Sequence, residues 1–417
     1  MSGGTGWREQ LRAVGPGLLF AGAAIGVSHL VQSTRAGAGW GYGLLWAVLL
    51  ALACKYPFFE FAHRYTVATG ESLLEGYRRL GTWALALFMI IVVGSAFITL
   101  AAVTVVTAGL LGALLGLDLS LAALSLIVLV VVLAILIQGR YAVLDGVMKV
   151  MVAVLGVLTV VAVAVALRHG PAGDPAWVRP VVWDAAGLTF LLALMGWMPA
   201  PLDVAVWPSL WILEKHRDCP RPTWQQAMLD FRLGYGTTVV LAVAFVTFGA
   251  LVMYGTGTEF SASGLVFAHQ LVDMYSRTLG AWSRWIISLI AFITMFSTTL
   301  TVVDGYARTL AGGLGLLAGR DPDRCRRWVA GFRLLLVVAS LVIIAFLMRS
   351  MKALVDVATV LAFLAAPLVA VLNLRAVSGP AVPTGFRPGR ALRLFSWAGI
   401  IYLVGFSVAW IAVRFLA

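Results

Sequence analysis

The chain has 417 residues, of which 61% are hydrophobic and only 12% are Asp, Glu, Lys or Arg. With a mean hydropathy of +0.98, so few charges cannot cover the surface of a soluble protein of this size, and lipid must solvate much of it. The net charge of +12 implies no nucleic-acid partner, because the positive residues fall mainly in short segments between apolar runs, where they act as topology determinants.

The apolar runs, in chain order, are 13–38, 42–63, 83–112, 119–137, 145–167, 185–213, 229–253, 283–312, 329–347, 355–373 and 395–415. About 20 residues are needed to cross roughly 30 Å of hydrocarbon, and each run is close to or above that length. The runs do not alternate in polarity, so they read as helices rather than as strands of a barrel. The first run opens with Gly15-Pro16-Gly17 and is followed by further spans, which marks a retained helix and not a cleaved signal. Segment 256–280 is less apolar, with Leu265, Leu271 and Asp273 among residues at roughly helical spacing. It is expected as an amphipathic helix over the outer face. The Pro- and Arg-rich stretch 376–393 is expected as a loop. The whole of 1–417 reads as one transmembrane domain, with no segment long enough to build a second core.

Charge sets the expected orientation. With the N-terminus cytoplasmic, Arg64, Arg78, Arg79, Arg140, Lys215, Arg217, Arg326, Arg327 and Arg333 lie inside, among others, while Arg35, Arg168 and Arg284 lie outside. The bias is about twofold and suits a bacterial plasma (inner) membrane. An odd number of spans then places the C-terminus outside. Cys54, Cys219 and Cys325 are far apart and form neither a metal motif nor an expected disulfide. No nucleophile–base pair has recognisable spacing, so an enzyme is not expected, and no resident cofactor is implied.

Two runs carry features that a regular helix does not tolerate. The first contains Gly26-Val27-Ser28-His29, and the sixth contains Met198-Pro199-Ala200-Pro201. Gly26 can adopt unusual dihedrals, with Ser28 and His29 available to satisfy freed backbone groups. Two prolines two residues apart remove donors and crowd the preceding turn. Two inverted five-helix repeats, 13–167 and 185–373, would place these breaks at matching positions, with 395–415 as an eleventh helix. Secondary transporters built in this way bind substrate near the midplane, between the unwound segments.

The run from Gly15-Pro16-Gly17-Leu18-Leu19 to Ala36-Gly37-Ala38, Gly41-Tyr42-Gly43-Leu44-Leu45-Trp46 and Val67-Ala68-Thr69-Gly70 resembles the Nramp family. The resemblance resumes at Met198-Pro199 and at Asp304-Gly305-Tyr306. It implies an all-α, LeuT-type inverted 5+5 fold and a proton-coupled transporter of manganese, iron and other divalent metals. This chain departs from the family pattern at the site. Where typical members have Asp-Pro-Gly-Asn, with Asp and Asn binding metal, it has Gly26, Val27, Ser28 and His29. Where they have Met-Pro-His, it has Met198, Pro199 and Ala200. Met195 matches a position that offers a backbone carbonyl in the family. Residues 83–112 hold no Asp, Glu, His, Lys or Arg, so the family's proton path has no acidic residue there.

The expected substrate site therefore comprises Gly26, Ser28, His29, Met195, Met198, Ala200 and Asp203. His29 and Met198 are the candidate metal ligands, an imidazole and a thioether suited to a softer transition metal. His29 could instead bond the unwound backbone or exchange a proton. Asp203 could bind a cation or pair with Lys55 or Arg35. Lys55, Glu60, His63, Trp197, Thr298, Thr299 and Asp304 are candidates for gating or coupling, with Asp304 and Arg308 an i,i+4 pair. The expected activity is secondary transport of a metal or other cation by alternating access. The alternatives are a small amino-acid-like solute on the same scaffold, or a non-transporting membrane protein. A monomer in a lipid bilayer suffices for either transport reading.

Overall fold

The computed structural model describes residues 14–138, 141–174, 181–217, 220–257, 264–321, 325–347 and 351–416. Among these residues every regular element is helical. Span one divides into α1 (Pro16–Ala24) and α2 (Thr34–Trp40), joined through a widened π-helical turn at Val27–Ser33. Spans two to five are α3 (Leu45–Thr69), α5 (Thr82–Leu115), α6 (Leu121–Gln138) and α7 (Tyr141–His169), with a short α4 (Leu73–Leu80) after α3. Span six divides into α8 (Ala185–Trp197) and α9 (Trp207–Lys215). Then come α10 (Trp224–Val252), α11 (Gly264–Leu279), α12 (Ser283–Leu317), α13 (Trp328–Val342), α14 (Met351–Ser378) and α15 (Arg390–Leu416).

Ten spans are long and apolar enough to cross a membrane, and α6 is a shorter apolar helix at the expected fourth position. The chain is a multi-pass membrane protein. Several helices overrun their apolar stretch because polar residues near the ends find local partners. In α3, Glu60 accepts from Arg64 one turn later at 2.5 Å, and helix continues to Thr69 before Gly70 takes φ 73°. The expected loop 376–393 shrinks, since α14 runs to Ser378 and α15 begins at Arg390. Helix α4 was not expected. Its sequence signal is a capping box, Ser72-Leu73-Leu74-Glu75, in which the Glu75 carboxylate accepts from the Ser72 backbone N–H at 2.5 Å. The amphipathic segment forms α11, packed on α5 and α12 through Ala268, Leu271 and Val272. Residues 258–263 of that expected segment lie outside the described residues.

The two divided spans are the innermost. About 94% of the apolar window of each is buried, against 28% for spans five, nine and eleven, so the breaks sit in protein and not in lipid. Span one lies on α10 at unusually close range. A Cβ at Gly17 would come within 2.1 Å of the Asp230 carbonyl oxygen, and one at Gly37 within 2.2 Å of that of Val246. Small residues are needed for backbones to approach this far. The start of α1 is capped from the same neighbour: Gly15 and Gly17 N–H donate to the Asp230 carboxylate at 2.8 and 2.7 Å. That contact explains the Gly-Pro-Gly opening.

Candidate functional site between the divided spans

At the first break, Gly26 lies against span eight. A Cβ there would stand 2.4 Å from Thr298 Oγ1 and 2.7 Å from its methyl carbon. Thr298 Oγ1 in turn lies 2.9 Å from the Gly22 carbonyl oxygen and 3.2 Å from that of Ile25, so it binds carbonyls that the break frees. Ser28 Oγ lies 2.8 Å from the Ala24 carbonyl oxygen, 2.7 Å from His29 Nδ1 and 3.0 Å from the Pro199 carbonyl oxygen. Its single proton can serve one of these at a time. His29 Nε2–H donates to the Thr238 carbonyl of α10 at 3.0 Å, an orientation assigned from the partner. With the ring proton on Nε2, His29 Nδ1 is an acceptor, engaged when the Ser28 proton turns to it.

At the second break, α8 ends at Trp197, Met198–Pro199 is a cis peptide, and a short 3₁₀ turn over Leu202–Val206 leads into α9. Helix termini expose carbonyls without intrahelical partners, and prolines downstream cannot supply donors. Lys55, fully buried on α3, meets that deficit. Its ammonium donates to the carbonyls of Met195 at 2.9 Å, Gly196 at 2.6 Å and Ala200 at 3.4 Å. The expected pairing of Asp203 with Lys55 or Arg35 is not a direct contact. Asp203 Oδ2 instead accepts from Ser95 Oγ at 2.8 Å and from the Tyr306 hydroxyl at 3.0 Å. Arg35 donates to Gln32 at 3.0 Å and pairs with Asp356 at 3.2 Å.

Between the breaks lies a cavity of about 20 Å³, walled by Ala24, Val27, Ser28, Trp197, Ala200 and Thr298 among others. Most of its wall is apolar. The indole N–H groups of Trp197 and Trp207, both wall residues, have no hydrogen-bond partner. His29 and Met198 are fully buried beside the cavity but form no part of its wall. Thr299 faces elsewhere and bonds Thr107 of α5 at 2.8 Å. No group of three His, Cys, Asp or Glu side chains converges among the described residues.

The remaining candidates lie away from the cavity. His63 Nε2 stands 3.5 Å from Asp230, while Glu60 pairs with Arg64. Asp304 is fully buried and accepts from Arg308 Nε at 2.8 Å, as its i,i+4 spacing predicts, and also from Trp211 Nε1 at 2.9 Å and from Arg333. Glu214 of α9 extends the cluster to Arg308 at 3.2 Å and Arg326 at 2.8 Å. Ser95, Tyr306, Trp211 and Arg333 were not recognised as site residues from sequence. Their partners are between 29 and 108 positions distant, and no local spacing signals such contacts.

A family model described as natural resistance-associated macrophage protein-like matches residues 17–413. An uncharacterized protein of Pasteurella multocida is 37% identical over 409 residues, covering 97% of this chain and 93% of that protein. Among solved structures, a variant of the Eremococcus coleocola manganese transporter superposes with a TM-score of 0.73 at 15% identity, covering 100% of this chain and 90% of that one. MhsT in complex with L-phenylalanine superposes with a TM-score of 0.60 at 14% identity, covering 96% and 97%. The shared architecture is the LeuT-type fold with broken first and sixth helices.

Proposed function

The chain belongs to the natural resistance-associated macrophage protein (Nramp) family, and from that premise we propose that it is a secondary-active transporter that moves a metal cation by alternating access. The observation that carries the reading is the small space, lined by buried residues, between two facing helix breaks. At about 20 Å³ it admits one ion-sized or water-sized guest, since roughly 10–15 Å³ suffices for a water. Broken helices buried in protein offer carbonyls and hydroxyls to an ion that has left its water. The candidate donors are Ser28 Oγ, Thr298 Oγ1 and the Pro199 and Ala200 carbonyls, with His29 acting through Ser28 and Met198 behind the wall. No carboxylate is bonded into this set. Such a site holds a cation weakly, because hard divalent ions draw most of their affinity from anionic oxygen. The manganese named for the structural relative is one candidate cargo. The twofold bias of Arg and Lys supports a cytoplasmic N-terminus and suits a bacterial plasma (inner) membrane.

Uptake into proteoliposomes tests this. Mn²⁺, Zn²⁺, Cu⁺ and Mg²⁺ should be tried with an imposed membrane potential. Flux of at least one of them, reduced at least about tenfold by Thr298→Val (the loss of one well-placed polar contact, about 1.4 kcal/mol), is the expected result. Absence of both binding and flux across the panel removes the reading.

A second reading rests on the apolar wall and the two unpartnered indole N–H groups, which suit an organic solute with acceptor oxygens. It requires the cavity to expand well beyond its present volume. Uptake of labelled amino acids without any metal dependence would favour it.

A further inference from the structure

We propose that the cleft bounded by α4, α9, α12 and the turn before α13 is a binding site for a small organic phosphate, separate from the space between the helix breaks. The cleft has a volume of about 190 Å³, several times that of the space between the breaks. A water needs roughly 10–15 Å³, so the cleft has room for a molecule of several heavy atoms. Its walls differ in character. Arg217, Arg308 and Arg326 supply three guanidinium groups, and Glu75 and Glu214 supply two carboxylates. Leu210, Leu316 and Val329 supply an apolar side. None of these residues lines the space between the breaks.

The charges suit an anion. The Glu75 carboxylate is turned to the Ser72 backbone N–H, where it caps α4. Glu214 directs both oxygens at guanidinium groups, Oε2 at Arg308 at 3.2 Å and Oε1 at Arg326 at 2.8 Å. Asp304 and Arg333, behind Arg308, offset one another. The lining thus carries positive charge in excess. A guanidinium has five N–H donors. Arg308 turns Nε to Asp304 and Nη1 to Glu214, and Arg326 turns Nη2 to Glu214, so both keep donors beyond those contacts. The Arg308 and Glu214 side chains are only 12% and 15% exposed, so charge is poorly screened at the inner end, while Arg326, 50% exposed, lies nearer to solvent. A phosphate group offers several anionic oxygens to such forks at once. The carbon chain of its ester can lie against Leu210, Leu316 and Val329. A soluble ester and a lipid headgroup present the same oxygens. Either one would join α9, the half-helix after the second break, to α12 and α13 and add to the fastening that Glu214 makes.

The probe is glycerol 1-phosphate, titrated calorimetrically into the full-length protein in detergent and washed free of lipid, with glycerol and sodium chloride as controls. Saturable binding that raises the midpoint of thermal unfolding is the expected result. Arg326→Gln and Arg217→Gln, at exposed positions, should each weaken it at least about tenfold, as loss of a charge-assisted hydrogen bond does. Glu214→Gln should tighten it, because a competing carboxylate is removed; a site for cations would respond in the opposite sense. Nanodiscs of phosphatidylcholine and of phosphatidylglycerol identify the source. Binding in both assigns the site to a soluble ester, and binding abolished only by phosphatidylglycerol assigns it to a lipid headgroup; either result supports the site. No binding in detergent, unchanged affinity in either arginine variant, or weaker or unchanged affinity in Glu214→Gln overturns it. The arginine variants decide the matter even if Glu214→Gln does not fold.

Discussion

Gly26 stands where a typical family member carries a metal-binding Asp, and the structure supplies a reason for a residue without a side chain. Thr298 occupies the space a Cβ would take and uses its hydroxyl on carbonyls freed by the same break. Gly26→Ala should therefore destabilise the fold by about 1–3 kcal/mol, the usual cost of overpacking, seen as a lower midpoint of thermal unfolding in detergent. Thr298→Ala removes the atoms at 2.4 and 2.7 Å and should recover much of that loss in the double variant. An unchanged midpoint in Gly26→Ala would show that the contact yields easily. Ser28 is the other residue whose role depends on the assembled structure. Its hydroxyl touches both breaks, through Ala24 and Pro199, and holds His29 against α10.

At the scale of elements, the divided spans are held at their ends by neighbours. Asp230 of α10 caps α1 by accepting from Gly15 and Gly17. Asp230→Asn should weaken this cap by about 1 kcal/mol, and hydrogen exchange should quicken in the first turn of α1 while the interior of α10 stays protected. Asp304 does similar work for α9, α12 and α13, drawing Trp211, Arg308 and Arg333 to one carboxylate. Asp304→Asn leaves two largely buried guanidinium groups without their shared partner. Breaking a buried pair in this way costs about 3–5 kcal/mol, so the variant should express poorly or unfold early in a thermal-shift assay. Near-wild-type stability would place the cluster in water.

For the whole molecule, both ends of the divided pair are fastened at once. Arg35 of α2 pairs with Asp356 of α14, and Glu214 of α9 pairs with Arg308 and Arg326. The small buried cavity thus lies in a bundle whose divided pair is fastened at each end. The alternating access proposed above requires each fastening to open in turn. Cysteine pairs at 35/356 and at 214/326, in a background lacking Cys54, Cys219 and Cys325, should each stop flux when oxidised and restore it on reduction. Undiminished flux through either oxidised pair would mean that this end does not open.

Hydropathy determined the membrane class and the order of the spans, because lipid admits only long apolar helices, and Gly26 and the Pro199/Pro201 pair marked both breaks, because glycine or proline within a helix has immediate local consequences. The capping box at Ser72 was also legible, though the helix it begins was not expected. The partners across the bundle were not legible. Lys55 reads in sequence as a deep charge in search of a carboxylate, yet it takes backbone carbonyls that carry no sequence signature. Asp203 reads as a cation ligand or as a partner of Lys55 or Arg35, yet it takes hydroxyls from Ser95 and Tyr306. His29 reads as a ligand, a proton carrier or a partner of the unwound backbone, and its ring lies between the Ser28 hydroxyl and the Thr238 carbonyl of α10, more than two hundred positions on. Sequence determined where the helices stop; only the tertiary packing decided which groups, more than a hundred positions away, would satisfy what those stops leave exposed.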